Sequence, residues 1–223
     1  MGNPTPDLNR AMRPFVWVNA AMSLDGKLAL PDGRQTSISG PEDLARVHRL
    51  RNENDAILVG IGTVLSDDPK LLVKKRYVDM VNHPLRVVLD TGLRTPSDAQ
   101  VLVGPAPTWI VVGEGVSGER PPARIVPCGT DRIDIPKLLD ILGNEGMDTL
   151  MVEGGSRVIA SLVALNLVDR MTVFVGSMVI GGERSPTLAG GDGASSFEEI
   201  SRFRLVDHQD MDDGILLTYE ADR

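Results

Sequence analysis

One cysteine, Cys128, stands among 223 residues. An internal disulfide is therefore excluded, a cysteine-ligated metal has no basis, and the residue reads as a small buried apolar side chain in a cytoplasmic protein. The three histidines, His48, His83 and His208, are scattered, with no His-x-x-x-His pair and no carboxylate partner in sequence, so no metal is expected. There is no Gly-x-Ser-x-Gly elbow and no Gly-Lys-Ser/Thr phosphate loop. No apolar run approaches the ~18 residues that a bilayer requires. The opening stretch, Met1 to Arg13, is polar and proline-broken and reads as a flexible arm rather than a signal peptide. Positive charge is also scarce: 23 Lys and Arg against 31 Asp and Glu, a net −8. That balance argues against nucleic acid or an anionic membrane as partner.

What remains is the composition of a water-soluble α/β domain, 42% apolar and 24% charged, spanning residues 14–223. Apolar runs predict strands at Phe15–Met22, Ala56–Gly60, Leu85–Asp90, Thr108–Val112, Arg124–Pro127, Thr149–Val152 and Arg170–Val175. Ser39-Gly40-Pro41-Glu42 reads as a capping box opening a helix with Leu44, Val47, Leu50 and Arg51 on one face. Ile135, Leu138, Leu139 and Leu142 share a second helical face, and Arg157–Leu165 forms a third helix. Alternating residues on either side of Asp212-Asp213-Gly214 predict a C-terminal hairpin. The sheet is expected to be mostly parallel with this antiparallel hairpin at one end, and Gly181-Gly182 and Gly190–Gly193 to be mobile surface loops.

Two strand ends carry the chemistry. Val152-Glu153-Gly154-Gly155-Ser156-Arg157 reads as strand, glycine turn and helix start, and Val59-Gly60-Ile61-Gly62-Thr63 as a second turn of the same kind. Glycines allow close backbone approach, and a helix N-terminus offers free N–H groups to an anion. Two such turns suggest a dinucleotide laid over the sheet. Glu153 is either a salt-bridged structural acid or an acid facing a ligand. Lys70, Lys74, Lys75 and Arg76 are either a solvated face or a hold on substrate phosphate, with Arg51 as a further contributor. Arg94 is either an idle loop arginine or a contact for a cofactor 2′-phosphate. Asn19 interrupts an apolar run and is either a satisfied core or strand-end amide or a residue at the ligand end of its strand.

Taken in order, Asn19-Ala20-Ala21-Met22-Ser23-Leu24-Asp25-Gly26-Lys27, Val59–Pro69, Pro84–Asp90 and Val152–Ser156 resemble the riboflavin-pathway pyrimidine reductases. The free-standing archaeal branch is the nearest in pattern. The resemblance implies a dihydrofolate-reductase-like three-layer α/β sandwich acting as a homodimer. It implies NADPH as cofactor, with NADH as the alternative, held by Ala21, Ser37, Thr63, Asp67, Thr91, Gly154, Gly155, Ser156 and Arg157. Substrate contacts would be Asn19, Gln35, Arg51, Leu71, Lys74 and Glu153. Glu153 and Asp67 are the candidate catalytic acids. Bacterial members carry a fused zinc deaminase, for which one cysteine gives no support. The expected substrate is therefore 2,5-diamino-6-(5-phosphoribosylamino)pyrimidin-4(3H)-one, reduced before deamination. The alternatives are the deaminated uracil, a dihydrofolate or pterin, and a non-catalytic NADPH sensor.

Overall fold

The structure, a computed structural model, describes residues 13–34 and 36–222. Its elements run β1 (Phe15–Ser23), α1 (Pro41–Glu53), β2 (Ala56–Gly60), α2 (Ile61–Asp67), β3 (Leu85–Leu89), β4 (Thr108–Val112), β5 (Arg124–Pro127), α3 (Ile135–Asn144), β6 (Thr149–Val152), α4 (Ser156–Ala164), β7 (Arg170–Gly176), β8 (Phe203–Met211) and β9 (Gly214–Ala221). The strands form one sheet in the order β5-β4-β3-β2-β6-β1-β7-β9-β8. The first seven in chain order are parallel, and β9 and β8 close one edge as an antiparallel hairpin. Every predicted strand forms.

The strands read as unbroken apolar runs because both faces are covered. Alternate residues of β2 show it. Ala56 and Leu58 join a core with Val16, Val87, Val152 and the Leu138, Leu139, Leu142, Ile159 and Leu162 faces of α3 and α4. Ile57 and Val59 point the other way, to Ile61 and Val64 of α2 and to Leu71, Leu93 and Val101. β1, the first made, lies beside the central strand β6, so its neighbours β6 and β7 come from more than a hundred residues later. Among the described residues no helix is long and apolar enough to cross a membrane.

Three expectations need correction. Ser39 and Glu42 form no capping box. The N-cap of α1 is Gly40, without a side-chain cap of its own, and the first-turn amides of Glu42 and Asp43 donate to the Asp212 carboxylate at 3.1 and 3.0 Å. Gly40 makes room for this, since a Cβ there would sit 2.5 Å from Asp212 Cγ. A partner 170 residues away outcompetes the local one because it reaches two amides with two oxygens. The α1 face also differs: Leu44 is exposed, and Asp43, His48 and Leu50 are buried. Finally, the segment carrying Gly181, Gly182 and Gly190 is tied down. Ile180 and Gly181 amides donate to Asp25, Leu28 bonds to Pro186, Lys27 bridges to Thr187, and the Gly190 amide reaches the Ser156 carbonyl. Ser23 and these amides hold the Asp25 carboxyl down at about 2.

Of the Met1–Arg13 arm, the first twelve residues lie outside the described residues, while Arg13 is pinned to Asp169 by two 3.1 Å bonds. Cys128 is fully buried as expected. Removing the distant cap tests the hairpin-to-helix link. Asp212→Ala should cost about 0.5–2 kcal/mol in urea unfolding, whereas Ser39→Ala should leave the midpoint unchanged.

Candidate functional site

The two glycine turns lie against each other at the carboxyl ends of β2 and β6, where ligands sit in parallel sheets. The Gly60 amide donates to the Gly154 carbonyl at 3.2 Å, and the Glu153 amide to Leu58 at 3.1 Å. Close approach needs Gly60, where a Cβ would meet Val158 Cγ2 at 2.9 Å; at Gly155 a Cβ would make ordinary contact with Thr63 Oγ1 at 3.4 Å. The Gly154–Gly155 peptide is cis, and Gly154 has φ +114° with open space at its Cβ position. The backbone N–H groups of Gly154, Gly155, Ser156 and Arg157 meet no acceptor among the described residues. They form an anion cradle at the start of α4. The Ser156 hydroxyl is already committed to the Thr187 carbonyl, so Ser156 offers its amide alone.

Beside these turns, helix α1 reaches across to two polar residues, Glu153 just after β6 and Asn19 in the middle of β1. Arg51 grips Glu153 with Nε and Nη2 at 2.7 and 2.6 Å, both side chains less than one-fifth exposed. Burial opposes the Arg51 charge, but the carboxylate outweighs it and holds the guanidinium pKa above its ordinary value. Arg46 donates to Asn19 Oδ1 at 2.7 Å. The β1–β6 register pairs Val18 with Val152, so the next residues, Asn19 and Glu153, stand side by side on the same face.

The basic segment follows α2. Leu71 and Val73 turn into the core, and Lys70, Lys74, Lys75 and Arg76 remain exposed. Two histidines hold it from behind. The Val73 amide donates to His83 Nδ1 at 3.2 Å and the Lys74 amide to His48 Nδ1 at 3.3 Å. His48 stacks on Tyr77 at 4.8 Å, and Arg76 covers the other part of that ring column at 4.6 Å from Tyr77. Burial first, then the Arg51, Lys74 and Arg76 cations, push the His48 pKa down to about 4, against a hydrogen bond to the Leu72 carbonyl. His83 is lowered by burial and by Arg86. Arg86 itself is fully buried, its guanidinium capped by the carbonyls of Lys70, Val103 and Ala106.

The family model described as the RibD C-terminal domain matches residues 14–217. The chain belongs to this family. It is 42% identical over 213 residues to the 2,5-diamino-6-ribosylamino-4(3H)-pyrimidinone 5′-phosphate reductase of Methanothermobacter thermautotrophicus, covering 93% of this chain and 98% of the relative. The protein of the same description from Archaeoglobus fulgidus is 41% identical, covering 95% of this chain and all of the relative. Among solved structures, the bifunctional deaminase/reductase of Thermotoga maritima superposes with TM-score 0.80 at 27% identity, over 94% of this chain and 57% of that one. Enterococcus faecalis dihydrofolate reductase shares the fold at TM-score 0.54 and 11% identity, over 94% of this chain and 97% of that one. The expected dihydrofolate-reductase-like fold is thereby shown.

Within this RibD-type domain the remaining sequence-predicted residues fall into groups. Thr63, Gly154, Gly155, Ser156 and Arg157 come together at the paired turns. Asn19, Arg51 and Glu153 come together under α1, with Lys74 on the segment that His48 holds. Of the two acids at the end of α2, Asp68 accepts from the Gln100 amide at 2.7 Å, while burial raises the Asp67 pKa against the pull of the Ser66 hydroxyl. Thr91 sits beyond β3, its carbonyl accepting from the Gly113 amide. Arg94 is mostly exposed and lies 3.8 Å from the fully buried Asp90. Ala21 packs toward Ile38 and Phe174. Leu71 gives its side chain to the core, with φ +52°, so only its backbone is available to a ligand. Ser37 is exposed in a depression with Ile38, Gly40, Asp212 and Asp213, and Gln35 lies outside the described residues. Sequence reasoning passed over Arg46, His48, His83 and the Thr187–Gly190 strap. A histidine one turn before Arg51 was the available signal for the first of the two imidazoles.

Because His48 is neutral when folded and ordinary when unfolded, the unfolded chain binds more protons between pH 6.5 and about 4. Stability is full above pH 6.5 and falls as pH drops through that window, by at most roughly 3 kcal/mol. His48→Asn keeps an acceptor for Lys74 and cannot take a proton. Its unfolding free energy should change less between pH 6.5 and 5 than that of the wild type.

Proposed function

We propose that this domain is a nicotinamide-dependent oxidoreductase of riboflavin biosynthesis that uses NADPH to reduce the ribosyl group of 2,5-diamino-6-(5-phosphoribosylamino)pyrimidin-4(3H)-one to ribityl. The carrying observation is the hydrogen-bonded pair of glycine turns, with four unclaimed amides, standing next to Glu153. A diphosphate fits that cradle: the open space at Gly154 leaves the backbone accessible, and a helix start favours negative charge. The reading is supported by the relatives' described activity at 41–42% identity over nearly full length.

In this reading Gly154, Gly155, Ser156, Arg157 and Thr63 hold the cofactor phosphates. Thr91 and Arg94 border its far end, where Arg94 favours a 2′-phosphate, and Ala21 and Ser37 are its remaining contacts. Gln35 and the Leu71 backbone join Asn19, Glu153 and Lys74 in contacting substrate. The cofactor, when bound, supplies the hydride that C1′ receives after the ribose has opened to its C1′=N imine, and a proton goes to the nitrogen. The chain's own part is alignment and proton handling. Lys74, with Lys70 beside it, meets the substrate phosphate on a segment that His48 and His83 fix. Glu153, gripped by the two Arg51 N–H groups, presents carboxylate oxygens that accept from substrate hydroxyl or N–H groups. Asp67 is the better proton source, since burial favours its protonated form.

A homodimer through the C-terminal hairpin belongs to the same reading. β8 is an edge strand, exposed along most of its length, with Leu205 and Val206 outward. The acidic net charge argues against nucleic acid or membrane partners, and a buried free thiol goes with a cytoplasmic setting.

Absorbance at the nicotinamide band, with the diamino and deaminated substrates offered side by side, tests the activity. Consumption of NADPH should be at least tenfold faster with the diamino compound. Turnover of dihydrofolate, or tight NADPH binding without oxidation, would replace the reading. Lys74→Ala should raise the substrate KM about tenfold or more with the NADPH KM little changed. Sedimentation equilibrium should give a dimer that Val206→Lys shifts toward monomer.

A further inference from the structure

A side-chain amide accepts at its oxygen and donates at its nitrogen, so the end turned to a ligand decides what the ligand must offer. At Asn19 that choice is made by neighbours. Arg46 Nη2 lies 2.7 Å from Asn19 Oδ1, and a guanidinium can only donate. Arg46 cannot swing away freely, because its Nε and Nη2 are held by Asp43 at 2.8 and 2.7 Å, with the two side chains 12% and 3% exposed. The second neighbour is Thr172. Trp17 Nε1–H, another group that only donates, points to Thr172 Oγ1 at 3.1 Å. The Thr172 hydroxyl hydrogen is then free to go to Asn19 Oδ1 at 2.9 Å, nearer than its alternative, the Val18 carbonyl at 3.5 Å. Turning the amide over would set its NH₂ against the guanidinium and lose both bonds. All of this happens where Asn19, Asp43 and Thr172 are each more than nine-tenths buried.

Nδ2 is the end left over. It has no partner among the described residues and is not sealed from solvent. We propose that Asn19 meets the substrate as a hydrogen-bond donor through Nδ2, opposite an oxygen acceptor, and that Arg46 is the positioning residue that enforces this orientation. The inference rests on the reading above, in which substrate lies over the carboxyl end of β6 and the adjoining middle of β1. Glu153, its neighbour in register, only accepts. The two neighbouring positions therefore present a donor beside an acceptor, the complement of a lactam edge or a hydroxyl, and reject a group offering two donors.

Asn19→Asp is nearly isosteric. It keeps the bonds from Arg46 and Thr172 and replaces the NH₂ by an acceptor. The substrate KM, and the Kd of the ribityl product measured by titration calorimetry, should rise about tenfold or more. The NADPH Kd should stay within twofold and the thermal midpoint should not fall. Arg46→Met, combined with Asp43→Asn so that no buried acid is left unpaired, should raise the substrate KM as well. Arg46→Lys, which still donates, should recover most of the loss. Wild-type KM and product Kd in Asn19→Asp, or an equal loss of NADPH binding, would overturn the inference alone. Failure of the wild-type protein to bind the product or turn over either pyrimidine would remove the broader reading and the inference with it.

Discussion

Glu153 sits at the end of a central strand, almost out of water, and a carboxylate there is tolerable only with a cation held against it. Arg51 is that cation, and the bidentate geometry leaves little freedom in how α1 crosses the sheet. Such a pair contributes little net stability compared with apolar packing, yet losing one partner costs about 3–5 kcal/mol, because the other charge stays behind. Its effect is on placement. Once Arg51 is fixed, Arg46 falls over Asn19 and His48 falls behind Lys74, five and three residues back along the same helix.

The result is a division of labour between backbone and side chains. The proposed dinucleotide cradle is made of amides and missing Cβ atoms, so it depends on two turns touching rather than on any one charged residue. The opposite half, where substrate is expected, is made of charged and polar side chains that are mostly engaged with one another. Arg51 is neutralised and Asn19 is held by its oxygen, while Lys74 is kept extended by an imidazole acceptor behind its amide. Few groups are left free, and each of those has a defined hydrogen-bonding sense.

How much of this was legible in the sequence follows from the range of the interactions. The strands were, because a sheet covered on both faces demands uninterrupted apolar runs such as Ala56–Gly60. The α3 face was, because Ile135, Leu138, Leu139 and Leu142 repeat with the helical period. The two glycine turns were, because glycines directly after buried strands have few other reasons to be there. What escaped were contacts without a local pattern. Asp212 displaces Ser39 as the cap of α1, and Leu44 faces solvent while polar His48 is buried. The Gly181–Gly190 stretch looks like free loop yet is fastened by Asp25 and Ser156. In each case the partner lies at least 26 residues away, and no periodicity of charge or size announces it.

The Asp212 contact has one more consequence, for the order in which the molecule can be made. The carboxylate that completes the start of α1 belongs to the last turn of the chain, 170 residues downstream, and the strands flanking β1 are likewise late. A nascent chain emerging from the ribosome can hold its first strand and first helix only as unfinished pieces. They wait exposed until the C-terminal hairpin has emerged, and assembly of this domain is slow for its size because its decisive pairings span most of its length.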